Sequence, residues 1–196
     1  MRVCCNICRY PINTCLCNYV TPISLPINIT IVQHVKEANH AKNTARLIKL
    51  CAPNVDIVNP SSVTAMKRLQ TLGNATSSAI LYPNPASVGL ETVKTDIAKT
   101  LRSLIVIDGT WKQAYAIMQQ HPWLKSLPSY HFDNAPKTKY RIRHTKVSQG
   151  LSTLEATAYA LSTLYNIDVN GLYELQEAMQ NNWQGPSNHQ RNIDLN

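Results

Sequence analysis

Leu104-Ile-Val-Ile107 is an uninterrupted apolar run that breaks off on Asp108-Gly-Thr-Trp111. Four branched aliphatic residues with no polar residue between them suit a strand buried on both faces, the pattern of a central strand in a parallel sheet. The rest of the chain repeats this theme in alternation. Strands are expected over 28–35, 55–58, 79–82 (stopped by Pro83 and Pro85) and 129–132. Helices are expected over 43–51, 64–72, 92–101, 110–120, 152–165 and 170–181, the first capped by Asn43 or Thr44. Strands alternating with helices imply an α/β fold with a mostly parallel sheet. Residues 21–27 carry two prolines and read as an extended linker. They divide a Cys-rich segment, 1–20, from the α/β domain, 21–196. The stretch after Trp183 reads as a poorly ordered tail.

Composition narrows the function. Glycine is scarce, at 6 residues, and never falls into G-x-G-x-x-G or G-x-x-x-x-G-K-[ST], which argues against the usual dinucleotide and P-loop phosphate turns. Lys plus Arg number 19 against 11 Asp plus Glu, a formal charge of +8, so a polyanionic partner is expected. No apolar run reaches the roughly 18 residues of a membrane helix, and the N-terminus has no hydrophobic signal core. A cytoplasmic, monomeric chain without a membrane partner is the expectation.

Five of the six cysteines lie between positions 4 and 17. Cys5 and Cys8 form a C-x-x-C knuckle, and Cys15 and Cys17 a second, tighter pair. Four thiolates on two short turns suit a tetrahedral metal with soft ligands, with Zn²⁺ as first choice. Disulfides are the plain alternative, disfavoured because nothing signals secretion and because such crowded pairs are hard to bridge. An iron–sulfur cluster is a third reading, for which the C-x-C pair is tight. Spacing favours Cys5 over Cys4 as the ligand, leaving Cys4 as a spare thiol. Cys51 sits in an apolar helical pattern and reads as a small core residue.

Asp108 stands where a buried strand ends and a helix begins, and ligands bind beyond the carboxyl ends of parallel strands. It is placed to act as a general base or to hold a cationic group; a helix cap explains the position equally well. Trp111 could stack on a base or simply pack. Ser152-Thr153-Leu154-Glu155 opens a long helix with the spacing of a capping box, which accounts for Ser152 and Glu155 without any ligand. Tyr82-Pro83 could wall the same crevice. Lys137, Lys139, Arg141 and Arg143 alternate in a stretch with no acid between Asp133 and Glu155. Extended, they would form a row suited to a phosphate backbone, with Tyr140 on the other face; the basic stretch ends at Lys146, and Arg2 and Arg9 on the knuckle would extend the positive surface. An ordinary solvated charge run is the competing view.

Taken in order, these motifs resemble the DTW-domain family of tRNA-uridine aminocarboxypropyltransferases. The resemblance runs over almost the whole chain. It rests on Cys5-x-x-Cys8-x-x-Pro11-x-x-x-Cys15-x-Cys17, Gln33-His34 with Glu37, and Asn43-Thr44-Ala45-Arg46-Leu47. It continues through Leu81-Tyr82-Pro83, Asp108-Gly-Thr-Trp111, Tyr140-Arg141-Ile-Arg143 and Ser152-Thr-Leu-Glu155-Ala156. Two departures are visible: Gly109 follows the acid of the naming motif, and Val35 stands where proline is expected. The resemblance implies a SPOUT-like knotted domain with a structural zinc knuckle. It also implies transfer of the 3-amino-3-carboxypropyl group of S-adenosylmethionine to N3 of a uridine in tRNA, releasing 5′-methylthioadenosine. On that mapping Asp108 is the general base. Tyr82, Pro83, Thr110, Trp111, Ser152, Thr153, Leu154 and Glu155 line the cofactor pocket. Lys137, Lys139, Arg141 and Arg143, with the knuckle, hold tRNA, while Cys5, Cys8, Cys15 and Cys17 hold the metal. The rival readings are a SPOUT-type RNA methyltransferase using the same cofactor and a non-catalytic zinc-bearing RNA-binding module.

Overall fold

The computed structural model describes residues 3–73, 77–143 and 150–183. Arg2, Lys146 and the tail after Trp183 lie outside them. Six strands form a single sheet in the order β2-β1-β5-β3-β6-β4. They are β1 (Asn28–Gln33), β2 (Asp56–Val58), β3 (Ser78–Leu81), β4 (Val88–Gly89), β5 (Ser103–Asp108) and β6 (Ser129–His131). Every pairing between them is parallel. The expected apolar run is the centre of this sheet: β5 lies between β1 and β3, with Ile29 opposite Leu104 and Ala79 on its other side.

Side-chain alternation along β1 and β5 makes two cores. Ile29, Ile31, Leu104 and Val106 point to one face, while Val32 and Ile105 point to the other. The first face is covered by α2 (Ala45–Cys51), α4 (Leu90–Thr100), α6 (Thr153–Tyr165) and α7 (Asn170–Asn181). On the second face, α3 (Val63–Gly73) supplies Met66 and Leu69, and α5 (Trp111–Gln120) supplies Ile117 and Met118. Helices on both faces are what an all-parallel sheet requires, since neither face can be left to water.

Two short elements escape the sequence periodicity. β1 stops at Gln33 instead of running to residue 35, because His34 turns to cap a one-turn helix, α1 (Val35–Ala38), its Nδ1 accepting from the Lys36 N–H at 3.2 Å. Val35 is the first residue of that helix, a position where proline would serve as well, so its departure from the family pattern is conservative in backbone terms. β4 is only two residues long and pairs with β6. Cys51 is fully buried in the first core.

The Cys-rich segment packs directly against the domain. Cys8, Tyr10 and Leu16 belong to the first core. The Tyr10 hydroxyl donates to Met179 of α7 at 3.1 Å, and the Arg46 guanidinium lies 4.3 Å over the Tyr10 ring.

Candidate active site and metal centre

The parallel register places Gln33, the last residue of β1, opposite Asp108, the last residue of β5. That adjacency builds the site. Gln33 Nε2 donates to Asp108 Oδ2 at 2.8 Å, and Thr153 Oγ1, from the first turn of α6, donates to Oδ1 at 2.5 Å. The carboxylate is only 5% exposed. Burial pushes its pKa up; the hydrogen bonds from Thr153 and Gln33 pull it back, nearby Glu37 raises it, and Arg143 lowers it. The result is a buried carboxylate with a raised pKa, held at the carboxyl end of two central strands. It does not cap α5. Thr110 does, in a capping box with Gln113 that uses both side chains. Gly109 keeps that turn tight: a Cβ there would stand 3.0 Å from Gln113 Cβ and 3.5 Å from His34 Cβ.

Behind Asp108 lies an ion pair with no obvious signal in the sequence. Glu37, 4% exposed, receives Arg143 bidentately, Nη2 to Oε1 at 2.7 Å and Nη1 to Oε2 at 2.9 Å. The partners are 106 residues apart in the chain. Asn43 braces the same loop, its amide donating to the Glu37 carbonyl at 2.9 Å while its Oδ1 accepts the Arg46 N–H. The cap of α2 is thus shared: Thr44 is the boundary residue without a side-chain bond to its own helix, and Asn43 supplies the acceptor.

The residues singled out around the crevice separate into two groups. Trp111 is 52% exposed, Tyr82 is half-buried, and Pro83 and Thr110 are exposed, so these offer surface to a ligand. Ser152, Leu154 and Glu155 are buried and internally engaged. Ser152 caps α6 and donates to Gln176 at 2.7 Å. Glu155 accepts from Ser152 N–H, Thr138 Oγ1 and the Lys139 N–H, which ties the 138–139 backbone to the helix. Its carboxylate is a brace for the site wall.

The basic stretch keeps its expected alternation without forming a strand. Tyr140 and Ile142 are buried, and the Tyr140 hydroxyl donates to the Lys42 carbonyl at 2.5 Å. Lys137 and Lys139 are exposed. Arg141 donates to the Asn181 side chain. Arg143 leaves the row, drawn inward by Glu37.

At the other end of the chain, the Sγ atoms of Cys5, Cys8, Cys15 and Cys17 lie within 4.8 Å of one another, with Cys5–Cys17 at 3.6 Å and Cys8–Cys15 at 3.7 Å. A zinc–sulfur bond of about 2.3 Å gives a tetrahedron with edges of about 3.8 Å, so the four sulfurs fit the ion. Backbone N–H groups of Cys8 and Ile7 lower the Cys5 pKa to about 6, whereas shared hydrogen bonds with Cys15 and Cys5 raise Cys17 to about 12. A bound dication would favour the thiolate form of all four. Arg9 closes the first knuckle at φ 62, its N–H donating to the Cys5 carbonyl at 3.0 Å. Cys4 falls outside the set and bridges Pro11 through its backbone.

The DTW domain matches residues 2–188. Among curated proteins, the tRNA-uridine aminocarboxypropyltransferase 2 of Macaca fascicularis is 30% identical over 166 residues, and that of Mus musculus 31% over 166 residues. The Drosophila melanogaster protein of the same name is 31% identical over 167 residues. Each alignment covers 82% of this chain, but the chain spans only 56% of the macaque and mouse proteins and 66% of the fly protein. No solved structure matches.

Proposed function

The chain belongs to the DTW domain family, and on that premise we propose that it is a tRNA-uridine aminocarboxypropyltransferase acting in the cytoplasm, with S-adenosylmethionine as co-substrate. One observation carries the reading: a buried carboxylate with a raised pKa, Asp108, held by Gln33 and Thr153 at the carboxyl end of the two central strands. The names of the relatives supply the reaction class. A SPOUT-like knotted arrangement of the domain is inferred from the family resemblance, with the all-parallel sheet as its α/β frame.

Uridine N3 is a poor nucleophile until it loses its proton. In this reading Asp108 accepts the N3 proton as N3 forms its bond to the Cγ methylene of the co-substrate. The Cγ–S bond breaks and its electron pair returns to sulfur, leaving neutral 5′-methylthioadenosine. A sulfonium needs little further activation, so the protein contributes mainly by orientation. Gln33 and Thr153 fix the carboxylate plane. Trp111, Tyr82, Pro83 and Thr110 present Cγ and not the methyl carbon to N3, and Ser152, Leu154 and Glu155 keep the wall rigid. Lys137, Lys139 and Arg141 guide the polyanion, while Arg143 is held by Glu37. The Cys5–Cys8–Cys15–Cys17 knuckle holds Zn²⁺ as a structural ion that locks the N-terminal segment onto α2 and α7.

Nucleoside mass spectrometry of tRNA incubated with the protein and S-adenosylmethionine tests the reading. Uridine carrying an aminocarboxypropyl group is the expected product; methylated nucleoside, or unmodified tRNA, would contradict it.

A further inference from the structure

Three nitrogen donors at the carboxyl end of α7 have no acceptor among the described residues. Lys42 is 6% exposed, and its ammonium stands 4.7 Å from the centre of the Trp183 ring. No carboxylate among the described residues meets it; the ion pairs there are His131–Asp133 and Glu37–Arg143. The indole Nε1 of Trp183 and the Nε of Arg46 are buried without a hydrogen-bond partner. Arg46 reaches the same region over Tyr10, whose hydroxyl donates to Met179, one helical turn before Trp183.

Packing alone does not account for this arrangement. Cations gain at a helix carboxyl terminus, and an ammonium gains over an indole face. Neither effect gives the ammonium, the indole N–H or the Arg46 N–H a hydrogen-bond acceptor, and leaving the two buried ones, Trp183 Nε1 and Arg46 Nε, unpaired is costly. Burial and the neighbouring Arg143 both work against the Lys42 charge. The ligand that would satisfy all three donors is an oxyanion with several acceptor atoms.

We propose that Lys42, Arg46 and Trp183 form a phosphate-binding site for the RNA backbone, continuing the cationic path that leaves Asp108 through Arg143 and passes Arg141. The site rests on the tRNA reading above. A backbone phosphate is favoured over the carboxylate of the co-substrate because the Lys42 side chain lies against Trp183, beyond the end of α7, and does not feel the Asp108 carboxylate. Arg143 feels both the Asp108 and Glu37 charges, whereas the charge that acts on Lys42 is that of Arg143.

The full chain, a fluorescein-labelled unmodified tRNA and a salt series from about 50 to about 300 mM test it. Lys42→Met should weaken tRNA binding roughly three- to tenfold at ~150 mM salt and reduce the salt slope by about one. The melting temperature should hold or rise, because a charge opposed by burial of its side chain and by Arg143 has been removed. Lys42→Arg should restore binding, Arg46→Gln should weaken it in the same direction, and calorimetric affinity for S-adenosylmethionine should not change in any variant. Unchanged tRNA affinity in Lys42→Met overturns the site, as does lost S-adenosylmethionine affinity with tRNA binding intact. So does a melting temperature that falls, and is restored by Lys42→Arg, with tRNA affinity unmoved. Tight tRNA binding by the wild type without aminocarboxypropyl transfer would leave this site standing and sink the proposed reaction instead.

Discussion

Asp108 is held between opposed influences: burial favours its protonated form, while the hydrogen bonds from Thr153 and Gln33 favour the carboxylate. A base must be unprotonated to act, so turnover should fall as pH drops through a midpoint above the ordinary carboxylate range. Thr153→Val removes one carboxylate-stabilising bond and should move that midpoint higher still, visible in a pH–rate profile. Asp108→Asn should lower turnover by about 10²- to 10⁴-fold with tRNA still bound. Stability runs in the opposite direction. An acid whose folded pKa is raised binds its proton more tightly in the folded chain, so its contribution is present below the ordinary value. That contribution is lost as pH rises toward the folded value. Removing Arg143 is a different kind of change. Arg143→Gln leaves Glu37 buried without its partner, and chemical denaturation should show a loss of roughly 2–4 kcal/mol. Of these residues, Asp108 was legible because it interrupts an apolar run, Arg143 only as a member of a basic row, and Thr153 only through the family resemblance. Gln33 and Glu37 carry no local mark: their meaning comes from strand register and from a contact spanning 106 residues.

At the scale of elements, the knuckle was the most readable feature, since the four cysteines that could hold a metal lie within 13 consecutive residues and need no tertiary information. What the spacing did not reveal is that Cys8, Tyr10 and Leu16 would be part of the main core. Metal binding should therefore stabilise more than the knuckle itself. Cys8→Ser should lower bound zinc, measured by elemental analysis, and lower the melting temperature of the whole chain by several degrees. Cys4→Ser should leave zinc at one ion per chain. Equal zinc loss in both variants would put the ligand set in error. The long helices and the β1 and β5 strands were legible from periodicity and β-branching. The two-residue β4 and the one-turn α1 were not, because so short a segment has no period, and pairing or capping alone defines it.

Across the whole molecule, alternating strands and helices predicted a parallel sheet, but not its order. Which strands become neighbours depends on crossovers that cover both faces, and the pairing of β1 with β5 joins segments about 75 residues apart. That crossover creates the site, since it brings Gln33 against Asp108, and α6 then delivers Thr153. The surplus of positive charge acquires a shape in the same way. It is not a straight row along 137–143, since Arg143 turns inward and Lys42 and Arg46 arrive from another part of the chain. In the proposed reaction this crevice directs Cγ, not the methyl carbon, to a uridine. Parallel incubations of tRNA with carboxyl-labelled and methyl-labelled S-adenosylmethionine test it most directly. Only the carboxyl label should enter tRNA, with the methyl label recovered in 5′-methylthioadenosine; methyl label in tRNA would overturn the proposed reaction.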